Sequence, residues 1–351
     1  MKLRHEIIDL HPVHPFVIAR GGYRQHHNVV VILSDGDGVE GWGEAAPNKY
    51  YGESEESVVA ALPAFARVLE NADPFALEEC EARVGETISA NNSAKAAVSA
   101  ALHDLAGKKL GVPVHRLWGL SADKCPLSSF TIAIAESDVL AERVREAAEY
   151  PVLKIKLGTD RDREIVRIVR GAAPDKRLRV DANAAWTPDD AARMIDFLVE
   201  MNVEMLEQPV AREDLDGLRF VRERSPIPVF ADESCLIAAD IPRLAGAVDG
   251  INIKLAKCGG LREALRMIHV ARAHEMGVMA GCMIESSLGI SAIAQLAPLL
   301  DTADFDGAAL LSDDPYRGAT ISSGQISLSQ LPGLGVTAAH ATSRAAAGAR
   351  G

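Results

Sequence analysis

The second half of the chain alternates short apolar segments with longer amphipathic segments. The apolar segments fit strands that are buried on both faces, and the segments between them have the period of a helix. This alternation predicts parallel strands joined by crossover helices, and eight repeats within about 180 residues favour a closed barrel over an open sheet. The predicted strands are Ser129–Ile134, Val152–Leu157, Leu178–Asp181, Met205–Glu207, Val229–Ala231, Gly250–Lys254, Val278–Gly281 and Ala303–Asp306.

The first 118 residues follow a different pattern. Val29–Leu33 is strongly β-prone, Asp35–Gly38 supplies turn residues, and Val39–Glu44 continues as a second strand, which predicts a hairpin. Two segments of helical pattern follow. They are Ser54–Leu69 and Ser93–Leu110, the second with Ser93 as its N-cap and Gly111 at its end.

These patterns predict an α/β protein with three parts. An α+β capping domain occupies residues 1–118, a barrel occupies 119–325, and a C-terminal segment occupies 326–351. We expect Gln325–Leu331 to return as a strand to the first domain, and the Ala/Gly/Arg-rich end from about residue 337 to be disordered.

Composition excludes some classes of function. A net charge of −12, spread along the chain, does not favour nucleic acid or an anionic membrane as a partner. The five cysteines are widely spaced without a CxxC pair, which is typical of a reducing compartment. No apolar segment resembles a signal peptide or is long enough to span a bilayer. We therefore expect a cytoplasmic protein.

Two lysines, Lys154 and Lys156, lie one residue apart in the apolar run Leu153–Gly158. In a strand, side chains at i and i+2 point to the same face. Two like charges that close should lower each other's pKa toward the range where an amine acts as a base. Taken alone, the pair also fits two solvated lysines on an edge strand.

Further charged residues fall at the carboxyl ends of the following predicted strands. Asp181, Glu207 and Asp232 end the third, fourth and fifth strands, and Lys254 ends the sixth. Catalytic groups collect at this face of a barrel. Three converging carboxylates need a cation, and oxygen ligands suit Mg²⁺. The alternative is that each acid caps the helix of its own loop.

Lysines on the second and sixth strands would face each other across the barrel mouth. A metal between them can hold a substrate carboxylate and stabilise the enediolate that forms when the adjacent α-proton is removed. Bases on both faces of the α-carbon permit proton removal on one side and delivery on the other. This arrangement predicts racemisation or epimerisation.

The combination of these motifs resembles the enolase superfamily, and within it the muconate-lactonising-enzyme subgroup. The resemblance is carried by Lys154-Ile155-Lys156, Asp181-Ala182-Asn183, Glu207-Gln208-Pro209, Asp232-Glu233-Ser234 and Lys254. It implies a modified (β/α)₇β TIM barrel with an N-terminal capping domain, and one Mg²⁺ per subunit bound by Asp181, Glu207 and Asp232. It also implies that Lys156 and Lys254 are the acid/base pair, and that Lys154 polarises the site or tunes Lys156.

The shared machinery does not select the reaction. The subgroup includes muconate cycloisomerases, o-succinylbenzoate synthases, N-acylamino acid racemases and dipeptide epimerases. Asp304 and Asp306 alternate on the eighth strand, so both face one side and can bind a cation. This placement resembles dipeptide epimerases, where such a pair takes the substrate's α-ammonium. The alternative is two ordinary loop acids beside Asp301.

Loops of the first domain are candidates for the other end of the substrate. Arg20 and the loop that contains Tyr51 resemble those of L-Ala-D/L-Glu epimerases of the peptidoglycan-recycling type, with Arg24 as a competing arginine. Glu285, after the seventh strand, is expected to line the pocket.

We therefore expect a Mg²⁺-dependent dipeptide epimerase that acts at the α-carbon of the C-terminal residue, with a small-molecule partner and a homo-oligomeric assembly. The alternatives are another reaction on the same site or a barrel that binds a small ligand without turnover. A metal hydrolase is disfavoured because the ten histidines form no HxH or HExxH pair.

Overall fold

The computed structural model describes residues 1–339, and its N-terminal region is α+β. A three-stranded antiparallel sheet has the order β1-β4-β5, and β2 and β3 form a separate hairpin. The strands are β1 (Lys2–Leu10), β2 (Phe16–Ile18), β3 (Gly21–Tyr23), β4 (His26–Ser34) and β5 (Glu40–Ala45). The helices are α1 (Glu55–Leu69), α2 (Leu77–Thr87), α3 (Asn92–Leu110) and α4 (Val114–Leu117), with a 3₁₀ turn at Lys49–Tyr51.

The apolar run in β4 is continuous because both faces of this strand are buried. Val29, Val31 and Leu33 pack in the core of the N-terminal region, whereas Val30 and Ile32 join the core that extends into the barrel. The predicted hairpin is confirmed, since β4 pairs with β5 from Val29 to Ser34.

Helix α3 lies against β5 at a backbone distance that only glycine allows. A Cβ on Gly41 or Gly43 would lie 2.0 Å from a carbonyl oxygen of α3. The predicted end of this helix at Gly111 is confirmed by a left-handed φ of 72°. The predicted N-cap at Ser93 is wrong. The helix begins one residue earlier, and the Glu53 carboxylate accepts the backbone N–H groups of Asn92 and Ser93, a long-range cap that a local pattern does not reveal.

Eight parallel strands form the barrel, and all eight overlap the predicted ones. They are β6 (Phe130–Ile132), β7 (Val152–Lys156), β8 (Arg177–Asp181), β9 (Val203–Glu207), β10 (Val229–Ala231), β11 (Gly250–Ile253), β12 (Gly277–Gly281) and β13 (Thr302–Asp304). They are hydrogen-bonded in chain order, and a parallel bridge between Ser128 and Ala303 closes the ring.

Helices follow the first seven barrel strands, and the described residues after β13 contain no helix. This confirms the (β/α)₇β architecture. The helices are α5 (Ser137–Glu146), α6 (Asp162–Ala172), α7 (Pro188–Glu200), α8 (Leu215–Arg224), α9 (Ile241–Leu244), α10 (Leu255–Cys258), α11 (Leu261–Ala273) and α12 (Ser287–Ala294), and short 3₁₀ turns lie at Ala122–Lys124, Ala238–Asp240 and Ala297–Leu299.

The C-terminal segment differs from its prediction. Its strands are β14 (Tyr316–Arg317), β15 (Thr320–Ser322), β16 (Gln325–Ser327) and β17 (Thr337–Ala338). The predicted return of Gln325–Leu331 to the first domain is wrong, because β16 pairs with β15 next to it. The chain reaches the N-terminal region later, where Gly333 exchanges backbone hydrogen bonds with the residues on either side of Pro113.

The expected disorder from about residue 337 is wrong for β17 (Thr337–Ala338), because this strand pairs with β14. The rest of that prediction concerns residues 340–351, outside the described residues. Among the helices of residues 1–339, none combines the length and the hydropathy that a membrane span requires.

Candidate active site

Lys154 and Lys156 lie on one face of β7, as their spacing predicts. The Nζ atoms of both reach Oδ2 of Asp181, at 3.3 Å from Lys154 and 2.7 Å from Lys156. Lys154 is almost completely buried and also lies 2.7 Å from Glu207 Oε2 and 2.8 Å from Asp304 Oδ2. The strand thus directs two ammonium groups into a cluster of carboxylates.

The expectation that the lysines depress each other's pKa is wrong for Lys154. Burial lowers its pKa, but the carboxylates of Asp304 and Glu207 outweigh burial and raise the pKa well above its usual value. Burial also lowers the pKa of Lys254, but Asp232 outweighs burial and the pKa is raised. These acids come from other strands, so the strand pattern around Lys154 gives no sign of them.

Asp181, Glu207 and Asp232 meet at the carboxyl ends of β8, β9 and β10. One carboxylate oxygen from each lies within 4.8 Å of the others, and all three side chains are buried. Burial opposes ionisation of Asp181, but Lys156 and Lys154 lower its pKa to about 2. Burial and the neighbouring Asp181 raise the pKa of Glu207 to about 7. The register of three parallel strands therefore concentrates negative charge at one point.

Polar atoms around this cluster indicate what it can hold. Asn183 Oδ1, Glu233 Oε2 and Asn252 Oδ1 are buried acceptors that have no hydrogen-bond partner among the described residues. Buried acceptors without donors are costly. Three carboxylates surrounded by surplus oxygen acceptors suit a hard divalent cation and its water ligands, and residues of this type fit Mg²⁺.

Lys254 completes the site from the opposite side. It follows β11 and caps α10, and its Nζ lies 2.8 Å from Asp232 Oδ2. The structure therefore brings together the predicted lysines of the second and sixth strands around the same carboxylates.

Asp304 and Asp306 both contact residues at the start of β6 or just before it. Asp304 accepts hydrogen bonds from Ser129 Oγ at 2.7 Å and from Lys154. Asp306 accepts the backbone N–H of Thr131 at 2.5 Å, and burial together with Asp304 raises its pKa to about 7. Asp304 thus joins the lysine cluster directly, whereas Asp306 lies at its edge.

Arg20 projects from the turn between β2 and β3 onto the barrel mouth. Its Nη1 donates to the Asn183 carbonyl at 2.6 Å, its Nη2 donates to Glu233 Oε1 at 2.7 Å, and its guanidinium stacks 4.2 Å from the Tyr50 ring. The competing Arg24 is exposed. The structure therefore places Arg20, held by a carboxylate that the sequence reasoning missed, beside the site.

Tyr51 and Glu285 complete the surroundings. Burial, Asp232 and Glu233 all raise the pKa of Tyr51, which locates this residue near the barrel acids. Glu285 is buried and accepts the backbone N–H of Met283 at 2.8 Å, and burial raises its pKa to about 7.

Sequence reasoning missed three further residues. Asn252 donates to Glu207 Oε1 at 2.8 Å, Lys257 contacts Asp232 Oδ1 at 2.6 Å, and Glu233 holds Arg20. Glu233 adjoins Asp232, and Asn252 lies two residues before Lys254 on β11, so their nearness to predicted positions at strand ends was the available signal. Lys257 lies one helical turn after Lys254, a spacing that alone suggests a surface helix.

Comparison with known proteins agrees with this geometry. Residues 4–119 match the mandelate racemase/muconate lactonizing enzyme N-terminal domain, and residues 137–342 match the enolase C-terminal domain-like family. The chain therefore belongs to the mandelate racemase/muconate lactonizing enzyme family of the enolase superfamily.

Individual relatives include two kinds of enzyme. The chain is 42% identical to the L-Ala-D/L-Glu epimerase of Bacteroides thetaiotaomicron over 96% of this chain and 88% of the relative. A dipeptide epimerase from Enterococcus faecalis, solved with Mg and L-Leu-L-Tyr, superposes with a TM-score of 0.91 at 32% identity over 96% of this chain and 99% of its own. A Pseudomonas fluorescens muconate lactonizing enzyme, solved with muconolactone, also gives 0.91 at 28% identity, over 96% of both chains. Fold similarity alone therefore does not distinguish the reactions.

Proposed function

We propose that this protein is a Mg²⁺-dependent dipeptide epimerase that inverts the α-carbon of the C-terminal residue. One observation carries the proposal: lysines from β7 and from the end of β11 contact the same group of three buried carboxylates from opposite sides. A reaction that removes and returns a proton at one carbon needs two such groups. The similarity to dipeptide epimerases at 42% identity supports this choice.

In the proposed site, Asp181, Glu207 and Asp232 would hold Mg²⁺. When bound, such an ion would supply Lewis acidity toward a substrate carboxylate. Lys156 and Lys254 stand on the two sides of the α-carbon: one, as a neutral amine, removes the proton, and the other, as an ammonium, donates a proton to the opposite face. Lys154 would contribute positive charge next to these acids, since its Nζ lies 2.7 Å from Glu207 Oε2 and 3.3 Å from Asp181 Oδ2.

The two aspartates at the end of β13 support a cationic substrate terminus. Asp304 and Asp306 add two carboxylates on one side of the barrel mouth, next to Lys154. A dipeptide has one α-ammonium to place there, whereas the anionic substrate of a muconate cycloisomerase or an o-succinylbenzoate synthase, or a substrate acylated at nitrogen, has none. This favours dipeptides over those reactions on the same site.

Arg20 is the proposed contact for an acidic side chain of the second residue, with Tyr51 and Glu285 lining the same pocket. Among residues 1–339, protein acceptors engage only two of its donor nitrogens, so N–H groups remain for a substrate carboxylate. An L-Ala-L-Glu substrate would connect the enzyme to the recycling of peptidoglycan peptides. With this role we propose a cytoplasmic homo-oligomer, divided into a capping domain (1–118), a barrel (119–325) and a C-terminal segment (326–351).

The proposal is tested by incubating the protein with a library of L,L-dipeptides and Mg²⁺ in D₂O. Mass spectrometry should show one deuterium entering the α-carbon of the second residue, and chiral chromatography should show the epimer. Exchange in N-acylated amino acids but in no dipeptide would support the racemase alternative. Binding without exchange of any compound would support the non-catalytic barrel.

A further inference from the structure

We propose that Lys257 is a positioning residue, which orients Asp232 for the metal ion and fixes the helix that presents Lys254. The inference rests on the magnesium site of the proposed function but not on the identity of its substrate. The Lys257 side chain is fully buried, and the Asp232 carboxylate is only one of the acceptors around its ammonium.

The surroundings of the Lys257 ammonium use all of its donors. Nζ lies 2.6 Å from Asp232 Oδ1, 2.6 Å from the Asp232 carbonyl, 3.0 Å from the Cys235 carbonyl and 2.9 Å from the Asn252 carbonyl. These acceptors belong to the ends of two neighbouring strands and to the loop after β10. The three N–H groups therefore have no capacity left for substrate, and the lysine acts through the protein.

The first consequence concerns the two oxygens of Asp232. Oδ1 is bound to Lys257, whereas Oδ2 faces Lys254 at 2.8 Å. The Lys257 ammonium is itself fixed by three backbone carbonyls, so it holds the Asp232 carboxylate in one orientation. Lys257 thereby fixes the side-chain orientation of Asp232, and a fixed ligand would suit the strict geometry that Mg²⁺ demands.

The second consequence concerns Lys254. Helix α10 has four residues, Lys254 is its N-cap, and Lys257 lies in its last turn. The Lys257 backbone N–H also bonds the Lys254 carbonyl at 3.0 Å. Such a short helix has little stability of its own. Anchoring the Lys257 ammonium to the end of β10 therefore fixes the backbone from which Lys254 projects.

Stability alone does not account for a buried cation at this position. Buried ion pairs often contribute less to folding than apolar side chains of similar volume. A methionine in place of Lys257 would fill the space without directing Asp232. A purely stabilising role and a positioning role therefore predict different results. If Lys257 positions Asp232, the affinity for Mg²⁺ depends on the charge of Lys257 as well as on folding.

The test compares Mg²⁺ binding by isothermal titration calorimetry in the wild-type chain and in Lys257→Met. The variant is expected to bind Mg²⁺ at least about tenfold more weakly, the range typical of groups that orient metal ligands. An increase in Kd below about tenfold overturns the inference. If Lys257→Met does not fold, Lys257→Gln is measured by the same criterion, since it keeps a donor but loses the charge.

Arg179→Met is the matched control. Arg179 is also a buried cation of the barrel, lies two residues before Asp181 on β8, and pairs with Glu204 at 2.7 Å instead of with a member of the acid cluster. It should lose stability but keep its Mg²⁺ affinity. A tenfold loss in this control as well would overturn the inference, because the effect would then be general.

Activity provides a second readout. At saturating Mg²⁺, Lys257→Met should keep a reduced kcat with little change in KM, because the lysine touches no substrate but places Lys254. Restored kcat at saturating Mg²⁺ would contradict the link through α10. If the wild-type chain bound no Mg²⁺, the proposed function itself would fail, which is a separate outcome.

Discussion

The ammonium of Lys154 lies 2.8 Å from Oδ2 of Asp304. This contact connects the lysine cluster at the acids to the aspartates that we assign to the substrate's α-ammonium. The same lysine contacts Glu207, so one buried cation bridges the proposed metal site and the proposed ammonium site. Changes at Asp304 should therefore affect both binding and catalysis.

Asp304→Asn is expected to lower kcat/KM for L,L-dipeptides by about 10- to 100-fold, because it weakens a hydrogen bond between the substrate ammonium and a charged group. Steady-state kinetics by polarimetry measures this change. Ser129→Ala is the matched control, because it removes the hydroxyl that donates to Asp304 but keeps the carboxylate, and its effect should be smaller. Unchanged activity in Asp304→Asn would favour a substrate without a cationic terminus.

Arg20→Met is expected to reduce kcat/KM for L-Ala-L-Glu about tenfold or more relative to L-Ala-L-Gln, since only the first has a side-chain carboxylate to lose its partner. The ratio of the two specificity constants is the measurement. Arg24→Met is the control, because Arg24 is exposed and should leave the ratio unchanged. A shift in the control but not in Arg20→Met would reverse the assignment.

Metal removal should abolish exchange. Dialysis against EDTA is expected to eliminate deuterium incorporation, and Mg²⁺ at a hundred times its Kd should stabilise the folded chain by about 2.7 kcal/mol through mass action. Differential scanning calorimetry with and without Mg²⁺ measures this. Glu207→Gln, which removes one of the three acids, should show a much smaller increase in Tm, and an equal increase would place the ion elsewhere.

Glu81, a half-buried residue of α2, should make stability depend on pH. Burial raises its pKa from 4.5 to about 7, although Ser99 donates a hydrogen bond to it. The folded chain therefore binds this proton more tightly than the unfolded chain does. The stabilising contribution is fully present below about pH 4.5 and is lost as the pH rises through 7.

Glu81→Gln should remove the loss of stability that the wild type shows as the pH rises. The variant is expected to match the wild type near pH 4 and to exceed it at pH 8, by on the order of 3 kcal/mol at most. Thermal unfolding at both pH values checks this. His103, 3.5 Å from Glu81, has a pKa lowered by burial to about 4, and its titration is common to both proteins and cancels. Equal Tm differences at the two pH values would show that Glu81 does not titrate in this range.

Much of the fold could be predicted from the sequence because its signals are local. The strand containing Lys154 and Lys156 is short and apolar, as the structure confirms. Helix α7 begins with a local signal as well, because Thr187 is its N-cap and Pro188 its first residue. Buried parallel strands repeat such signals eight times. The regular spacing of the repeats then predicts that their charged ends meet.

The electrostatics could not be predicted in the same way. The pKa of Lys154 depends on carboxylates from other strands, whose distances follow from register rather than from any local pattern. Long-range partners likewise explain the missed cap of α3 by Glu53 and the buried position of Lys257. The specificity residues are least predictable, since Arg20 reaches Glu233 across more than half of the chain.

The central claim, two lysines on opposite faces of one carbon, is tested most directly by stereospecific exchange. Lys156→Ala and Lys254→Ala are each incubated in D₂O with Mg²⁺ and either epimer of a dipeptide that the wild type accepts, and α-proton exchange is followed by ¹H NMR. The epimerisation rate of each variant should fall by at least about a hundredfold, because each lacks one acid/base group. Each should still exchange the proton of one epimer only, and the two variants should differ in which epimer they exchange. Epimerisation by either variant, or exchange of the same epimer by both, would contradict the account.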